Sequence, residues 1–227
     1  MGKDVREKNS VLREGKSFYM RIFAIDAGTT QSGFCIMDSE TYKPLFFGKE
    51  DNEEVLKYVL EGCYDVLVYE EFQSYGMSVG KSTIASITWN GRFIQAAVSL
   101  FKPFYPIYRS EEKITICGSM KAKDANIRQA LIDRFAEFDL KQGKGVKAHP
   151  DFFYGFAKDS WSGFAIAYTF AEKMKQERGA SHKSYGMSIT RKRLETLTKI
   201  SNDDFSVEVV DLDDDNGALR HRIEDWF

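Results

Sequence analysis

The chain has 227 residues, 43% of them apolar and 14% aromatic, enough for a sizeable core in one large domain or one domain with appendages. No apolar run approaches the roughly 20 residues that cross a bilayer, and the first 17 residues alternate charges instead of passing from basic to apolar. That argues against a membrane protein or a secretory leader, so a cytoplasmic location is expected. The formal net charge is −2, but residues 203–227 hold nine acids against Arg220 and Arg222, leaving residues 1–202 with 30 basic and 25 acidic side chains. A mildly basic body permits a phosphate-backbone partner without requiring one.

Taken in order, residues 1–17 are polar and aperiodic and read as a mobile extension. Three strand-like runs follow at 19–26, 32–38 and 44–49, separated by short turns, which predicts an antiparallel meander. Val55, Leu56, Val59 and Leu60 recur at helical spacing, and residues 65–72 form a nearly continuous apolar strand, buried on both faces, that ends in Glu70 and Glu71. Ser82 or Thr83 is placed to cap a long helix to about Phe101, ahead of a strand at 104–108 and a helix near 124–138. Residues 141–158 are a connection rich in Gly, Lys and aromatics, and Asp159 stands at the start of a last strong helix reaching about Arg178. The remainder reads as an appendage: a basic helix at 191–199, a strand at 207–210, then an acidic turn and tail. The fold class expected is α/β, a mixed sheet of an antiparallel three-strand meander plus parallel strands, with helices on both faces.

The acids suggest the chemistry. Asp26 closes the first strand, Glu70 closes the fourth, and Asp159 opens the last core helix, so all three can converge at one edge of the sheet. Converging carboxylates repel one another unless hard cations lie between them, and Mg²⁺ prefers carboxylate, water and phosphate oxygens. Two such ions about 4 Å apart serve phosphodiester cleavage. Glu70 and Glu71 face opposite sides of their strand, and Glu70, directly after the apolar run, is the favoured ligand.

Three segments, IDAGTTQSGFCIMD, DVLVYEEF and KDSWSGFAIAYTFAE, with EEKITICGSMKAKDANIRQAL between the last two, resemble the RuvC-type Holliday junction resolvases of the RNase H-like superfamily, especially their phage members. The likeness covers roughly residues 20–178 and suggests an extension at 1–17, an RNase H-like nuclease domain at 18–180 and an appendage at 181–227. It implies that Asp26, Glu70 and Asp159 are catalytic and bind two Mg²⁺ ions, for which Mn²⁺ substitutes. It implies a homodimer acting on branched DNA, with Lys113 and Lys123, and Lys121 beside them, meeting the backbone. The family usually has an Asp or His one helical turn after the third ligand, where this chain has Ser162; a hydroxyl is a poorer ligand, leaving the second ion to be completed by Ser162, Glu71 or water.

Other motifs compete with this reading. IDAGTT also resembles the phosphate-binding opening of sugar kinases and other actin-like ATPases, but those need two such domains. GMSVGKS lacks one residue of a P-loop, so it reads as a loop beside the site where Phe72 or Tyr75 can stack on an unpaired base and Lys81 can meet a phosphate. Lys141, Lys144, Lys147 and Lys158, spaced along the connection, are placed to track a backbone. DLDDDNG misplaces the glycine of a calcium loop and has Arg222 where the closing Glu belongs; His149, His182 and His221 show no metal spacing; and Cys35, Cys63 and Cys117 read as buried thiols. A non-catalytic binder of branched DNA on the same fold is the main alternative.

Overall fold

The computed structural model describes residues 19–180 apart from Tyr75, Met77 and Lys158, together with Val210–Asp213 and Leu219–Arg222. Five strands, β1 (Arg21–Asp26), β2 (Gln31–Asp38), β3 (Pro44–Asp51), β4 (Val66–Glu71) and β5 (Phe104–Tyr108), form one sheet in the order β3-β2-β1-β4-β5. The first three pair antiparallel as a meander, and β4 and β5 add parallel to β1. Helices α1 (Asn52–Glu61) and α2 (Lys81–Ser99) make the crossovers; α3 (Arg109–Cys117), α4 (Asp124–Phe135) and α5 (Ser160–Ala180) follow the last strand. This is the mixed α/β architecture expected.

The period of two along the strands divides the core. Ile22, Ala24, Cys35, Met37, Val66, Val68 and Ile107 pack on the α5 side with Phe164, Ala167 and Tyr168, whereas Phe23, Ile25, Phe34, Ile36 and Leu67 pack with Val55, Val59 and Phe93 of α1 and α2. Each such side chain taken fully out of water contributes about 1.5–3 kcal/mol, so the two faces together fix which side every strand residue points. β3 is an edge strand, and its exposed Lys49, Glu50 and Asp51 discourage further pairing.

Two expectations are corrected in the helices. Neither Ser82 nor Thr83 caps α2, which begins at Lys81 with extended Gly80 at its N-cap and no side-chain cap bond. The sequence reading also passes over α3, because its nine residues run on from β5 without a loop and bury only Glu112 and Ile116. The Glu111 side chain accepts from the Tyr108 N–H at 2.8 Å to start that helix, and left-handed Gly118 ends it.

The connection before α5 is ordered as a short hairpin, β6 (Gly145–Val146) and β7 (His149–Pro150). Beneath it Phe135, Phe152, Phe153, Phe156, Trp161 and Phe164 interlock, with ring centroids 4.4–6.2 Å apart. Cys35 is buried, but Cys63 is exposed, since it follows left-handed Gly62 at the C-terminus of α1, and Cys117 is half-buried. Further on, the strand falls at β8 (Val210–Asp213), later than 207–210, and pairs with β9 (Leu219–Arg222) in a register that sets Asp211 opposite His221. Part of the acidic run is therefore strand and not turn. The extension at 1–17 and the helix at 191–199 lie outside the described residues. No described helix is long and apolar enough to cross a membrane.

Candidate active site

A single row of residues crosses the sheet on the α5 face. Asp26 is opposite Gly33 and Gly33 is opposite Lys49. On the other side β1 and β4 run in step up to the Ile25–Tyr69 pair, which makes Glu70 the next rung beside Asp26, and Glu70 is opposite Ile107. Cross-strand partners share a face, so Lys49, Asp26 and Glu70 emerge together where β1 and β4 end.

The gap left by Gly33 is filled from above. A Cβ on Gly33 would lie 2.5 Å from the Asp159 carbonyl oxygen and 3.2 Å from its Cβ, and one on Gly163 would lie 2.6 Å from the Phe34 carbonyl carbon. Only hydrogen at both positions lets the start of α5 rest on β2. Asp159 and Ser162 are thereby delivered to the row: Ser162 hydrogen-bonds the Asp26 carboxylate, and Asp159 lies close enough for its charge to act on Asp26. The Asp159 carboxylate itself is held by Lys49, with Nζ 2.8 Å from Oδ2.

Backbone and buried polar groups fix the surroundings. After β1 the turn is tied to α1: Asn52 Nδ2 donates to the Gly28 carbonyl at 3.1 Å, Ser32 Oγ donates to Asn52 Oδ1 at 2.5 Å, and the Gly28 N–H donates to Ser32 Oγ at 3.3 Å. From α2, buried Asn90 donates to the Glu70 carbonyl at 2.9 Å. Glu71 faces the other way, accepting from the Tyr69 hydroxyl at 3.3 Å and its neighbour's Phe72 N–H at 3.2 Å.

The acids of the row are electrostatically stressed. Burial raises the Asp26 carboxyl above the usual range, against the hydrogen bonds from Ser162 and with Glu70 and the Arg109 charge, which lower it. Burial and the adjacent Asp26 push Glu70 up to about 7, with Arg109 opposing. The two carboxyls hydrogen-bond each other, which lowers Asp26 and raises Glu70. Below them Arg109 donates to Glu112 at 2.5 Å and also to Asp124. Glu112 is fully buried, its Oε1 has no hydrogen-bond partner, and burial raises its carboxyl against the pull of Arg109.

Asp26 and Glu70 thus present hard oxygens to one point, a donor set that fits one Mg²⁺ or Mn²⁺ ion. Asp159 and Ser162 offer less to a second, one being paired with an ammonium and the other neutral. Among the described residues no three His, Cys, Asp or Glu side chains lie close enough to form a metal cage.

The remaining described sequence candidates come from the end of β4, from α2 and α3, from the approach to α4 and from the hairpin connection. Phe72 is exposed just past β4, Lys81 begins α2, and Lys113 is one turn beyond Arg109 on α3. Lys121 and Lys123 are exposed ahead of α4, while Lys144 and Lys147 belong to the hairpin connection. Tyr75 and Lys158 lie outside the described residues. His149 is exposed, its ring 4.7 Å from that of Phe138. Sequence reasoning missed Lys49, Asn90, Arg109 and Glu112. The meander register could have found Lys49, because an antiparallel pair of known turn length sets which residues oppose Asp26.

The sheet order, the helices on both faces and the acid row at the strand ends define an RNase H-like fold. Its likeness is to RuvC: the structure of Thermus thermophilus RuvC matches at a TM-score of 0.51 and 16% identity, over 70% of this chain and 97% of that one. The T. thermophilus RuvC in complex with Holliday junction substrate matches at 0.50 and 14%, over 70% and 96%. By sequence, no protein-family model and no curated protein matches.

Proposed function

We propose that this chain is a divalent-metal-dependent endonuclease that cuts branched DNA, four-way junctions foremost. The observation that carries the reading is the Asp26–Glu70 pair, half-buried side by side at the ends of adjacent strands, with Glu70 pushed up to about 7 by burial and by the Asp26 charge. A divalent ion held there would supply positive charge for the attack of water and the departure of the 3′ oxygen. Water adds to phosphorus as the P–O3′ bond breaks; the water gives up a proton, the 3′ oxygen gains one, and a 5′-phosphate and a 3′-hydroxyl result. Asp26 and Glu70 would hold the ion, Asp159 would complete the acidic set, and Arg109, fixed by Glu112, lowers both half-buried acids by its charge.

The fold supports the same substrate, since it matches RuvC both alone and in complex with a Holliday junction. Lys113, Lys121, Lys123, Lys144, Lys147 and Lys158 are proposed to meet phosphates, and Lys81 with Phe72 and Tyr75 to meet the strands at the branch, with Phe72 or Tyr75 stacking on an unpaired base. Selectivity then comes from branch shape and deformability more than from base contacts. A homodimer places two sites on opposing strands of one junction.

The test is a labelled four-way junction beside a linear duplex, with Mg²⁺, Mn²⁺ or EDTA, for the parent chain and Asp26→Asn. Metal-dependent cuts in the junction alone, lost in Asp26→Asn, are expected. Tight junction binding with no metal-dependent cleavage would leave a non-catalytic binder, the alternative that Ser162 makes plausible. ATP turnover without DNA affinity would point instead to the kinase.

A further inference from the structure

Resting on the nuclease reading of this site, we propose that Lys49 supplies the positive charge beside Asp159 in place of a second divalent ion, so that the site works with one bound cation. Three independent features converge on this. Lys49 occupies the same cross-sheet row as Asp26, with only the side-chain-free Gly33 between them. Its ammonium is 2.8 Å from the Asp159 carboxylate. Ser162 stands where a fourth acid would complete a second ion's shell, and its hydroxyl is spent on Asp26.

The donors decide between one ion and two. Lys49 already neutralises the Asp159 carboxylate, and beside Asp159 a second ion would find only the Ser162 hydroxyl, which is bonded to Asp26. A second ion would therefore have to displace Lys49 and be held by a single carboxylate. A carboxylate at 162 together with loss of Lys49 reverses both conditions. About two-fifths of the Lys49 side chain and one-third of Asp159 remain exposed, so a phosphate can reach the pair. Lys49 gives the breaking P–O bond a positive charge and N–H donors.

The experiment counts Mn²⁺ ions on the full chain bound to a four-way junction, as the ions lost on Asp26→Asn, and looks for magnetic coupling between ions by electron paramagnetic resonance. One uncoupled ion is expected for the parent and for Lys49→Met, and two coupled ions for Lys49→Met with Ser162→Asp. Lys49→Met is expected to cleave about 100-fold more slowly or worse, with Lys49→Arg recovering much of the loss. Two coupled ions in the parent, or parental cleavage by Lys49→Met, would overturn the proposal and show an ordinary edge ion pair, while leaving the nuclease intact. Cleavage unaffected by Asp26→Asn would instead sink the nuclease reading itself.

Discussion

Arg109 and Glu112 lie one helical turn apart on α3 and meet at 2.5 Å, the carboxylate fully buried and the guanidinium reaching on to Asp124. The pair sits under Asp26 and Glu70 and acts on both through its charges. Burial raises the Glu112 carboxyl to about 8, so below that pH Glu112→Gln replaces a largely neutral group of the same shape, and the acid limb of the cleavage–pH profile is expected to stay where it is. Arg109→Met removes the charge that lowers both acids and strands a buried carboxyl, at a cost of about 3 kcal/mol. Its junction-cleavage profile should shift to higher pH, and urea titration should show the loss of stability growing as the pH is raised.

How much of this was legible beforehand follows from where each residue gets its position. The meander, the parallel strands and the last helix announce themselves through periods of two and 3.6, and the row acids through their places at strand ends. Residues whose position is set by pairing were not visible: Lys49 matters because of a register three strands long, and Asn90 because α2 crosses behind Glu70. Arg109 and Glu112 sit on a helix whose amphipathic signal is too short to read. Glycine gave no hint of its role either, since Gly33 and Gly163 act through what they lack.

Gly163 offers a direct measure of that role. A methyl there would meet the Phe34 carbonyl carbon at 2.6 Å and the Cys35 nitrogen at 2.8 Å, backbone atoms that cannot rotate away. Gly163→Ala is expected to lift α5 from β2, cost about 1–3 kcal/mol, and abolish cleavage even where the protein still folds, because Asp159 and Ser162 travel with the helix. Gly91 in α2 has nothing within 4 Å of its would-be Cβ. Gly91→Ala should therefore stabilise by about 0.4–1 kcal/mol with cleavage unchanged, which separates the two effects by urea titration.

The raised Glu70 carboxyl makes the metal-free protein pH-sensitive. Its folded pKa, about 7, lies above the ordinary glutamate value of 4.5, so the folded state binds the proton more tightly than the unfolded chain. The resulting stability is present below pH 4.5 and is lost as the pH rises through 7. In EDTA, Tm should fall between pH 5 and 8, and Mg²⁺ should restore it at pH 8 by taking the proton's place. Glu70→Gln is expected to raise the metal-free Tm at pH 8 by about 2–4 °C for each kcal/mol relieved and to remove most of the Mg²⁺ effect. The slope that persists in Glu70→Gln should diminish further with Glu112→Gln added, because Glu112 is raised by burial as well. Differential scanning calorimetry across this range decides it; a Tm that climbs with pH would refute the assignment.

Asp151 has the opposite sign and a different task. Burial raises its carboxyl, but the N–H groups of Glu137, Phe138, Asp139 and Phe152 all donate to it at 2.7–3.1 Å and bring it down to about 2. That carboxylate organises the chain between α4 and the hairpin, over the aromatic cluster on which the start of α5 rests. Because the folded pKa is depressed, the stability it gives is present above the ordinary value of 3.8 and is lost as the pH falls through about 2. Asp151→Ala leaves the four donors without their acceptor and is expected to cost about 2–3 kcal/mol at pH 7, flattening the acid limb of the stability curve between pH 4 and 2. Asp151→Asn, which keeps one acceptor oxygen, should fall between the two. Cleavage at 20 °C should survive in both variants if their α5 stays seated, so a variant that is folded by circular dichroism yet inactive would place Asp151 in the site and not beneath it.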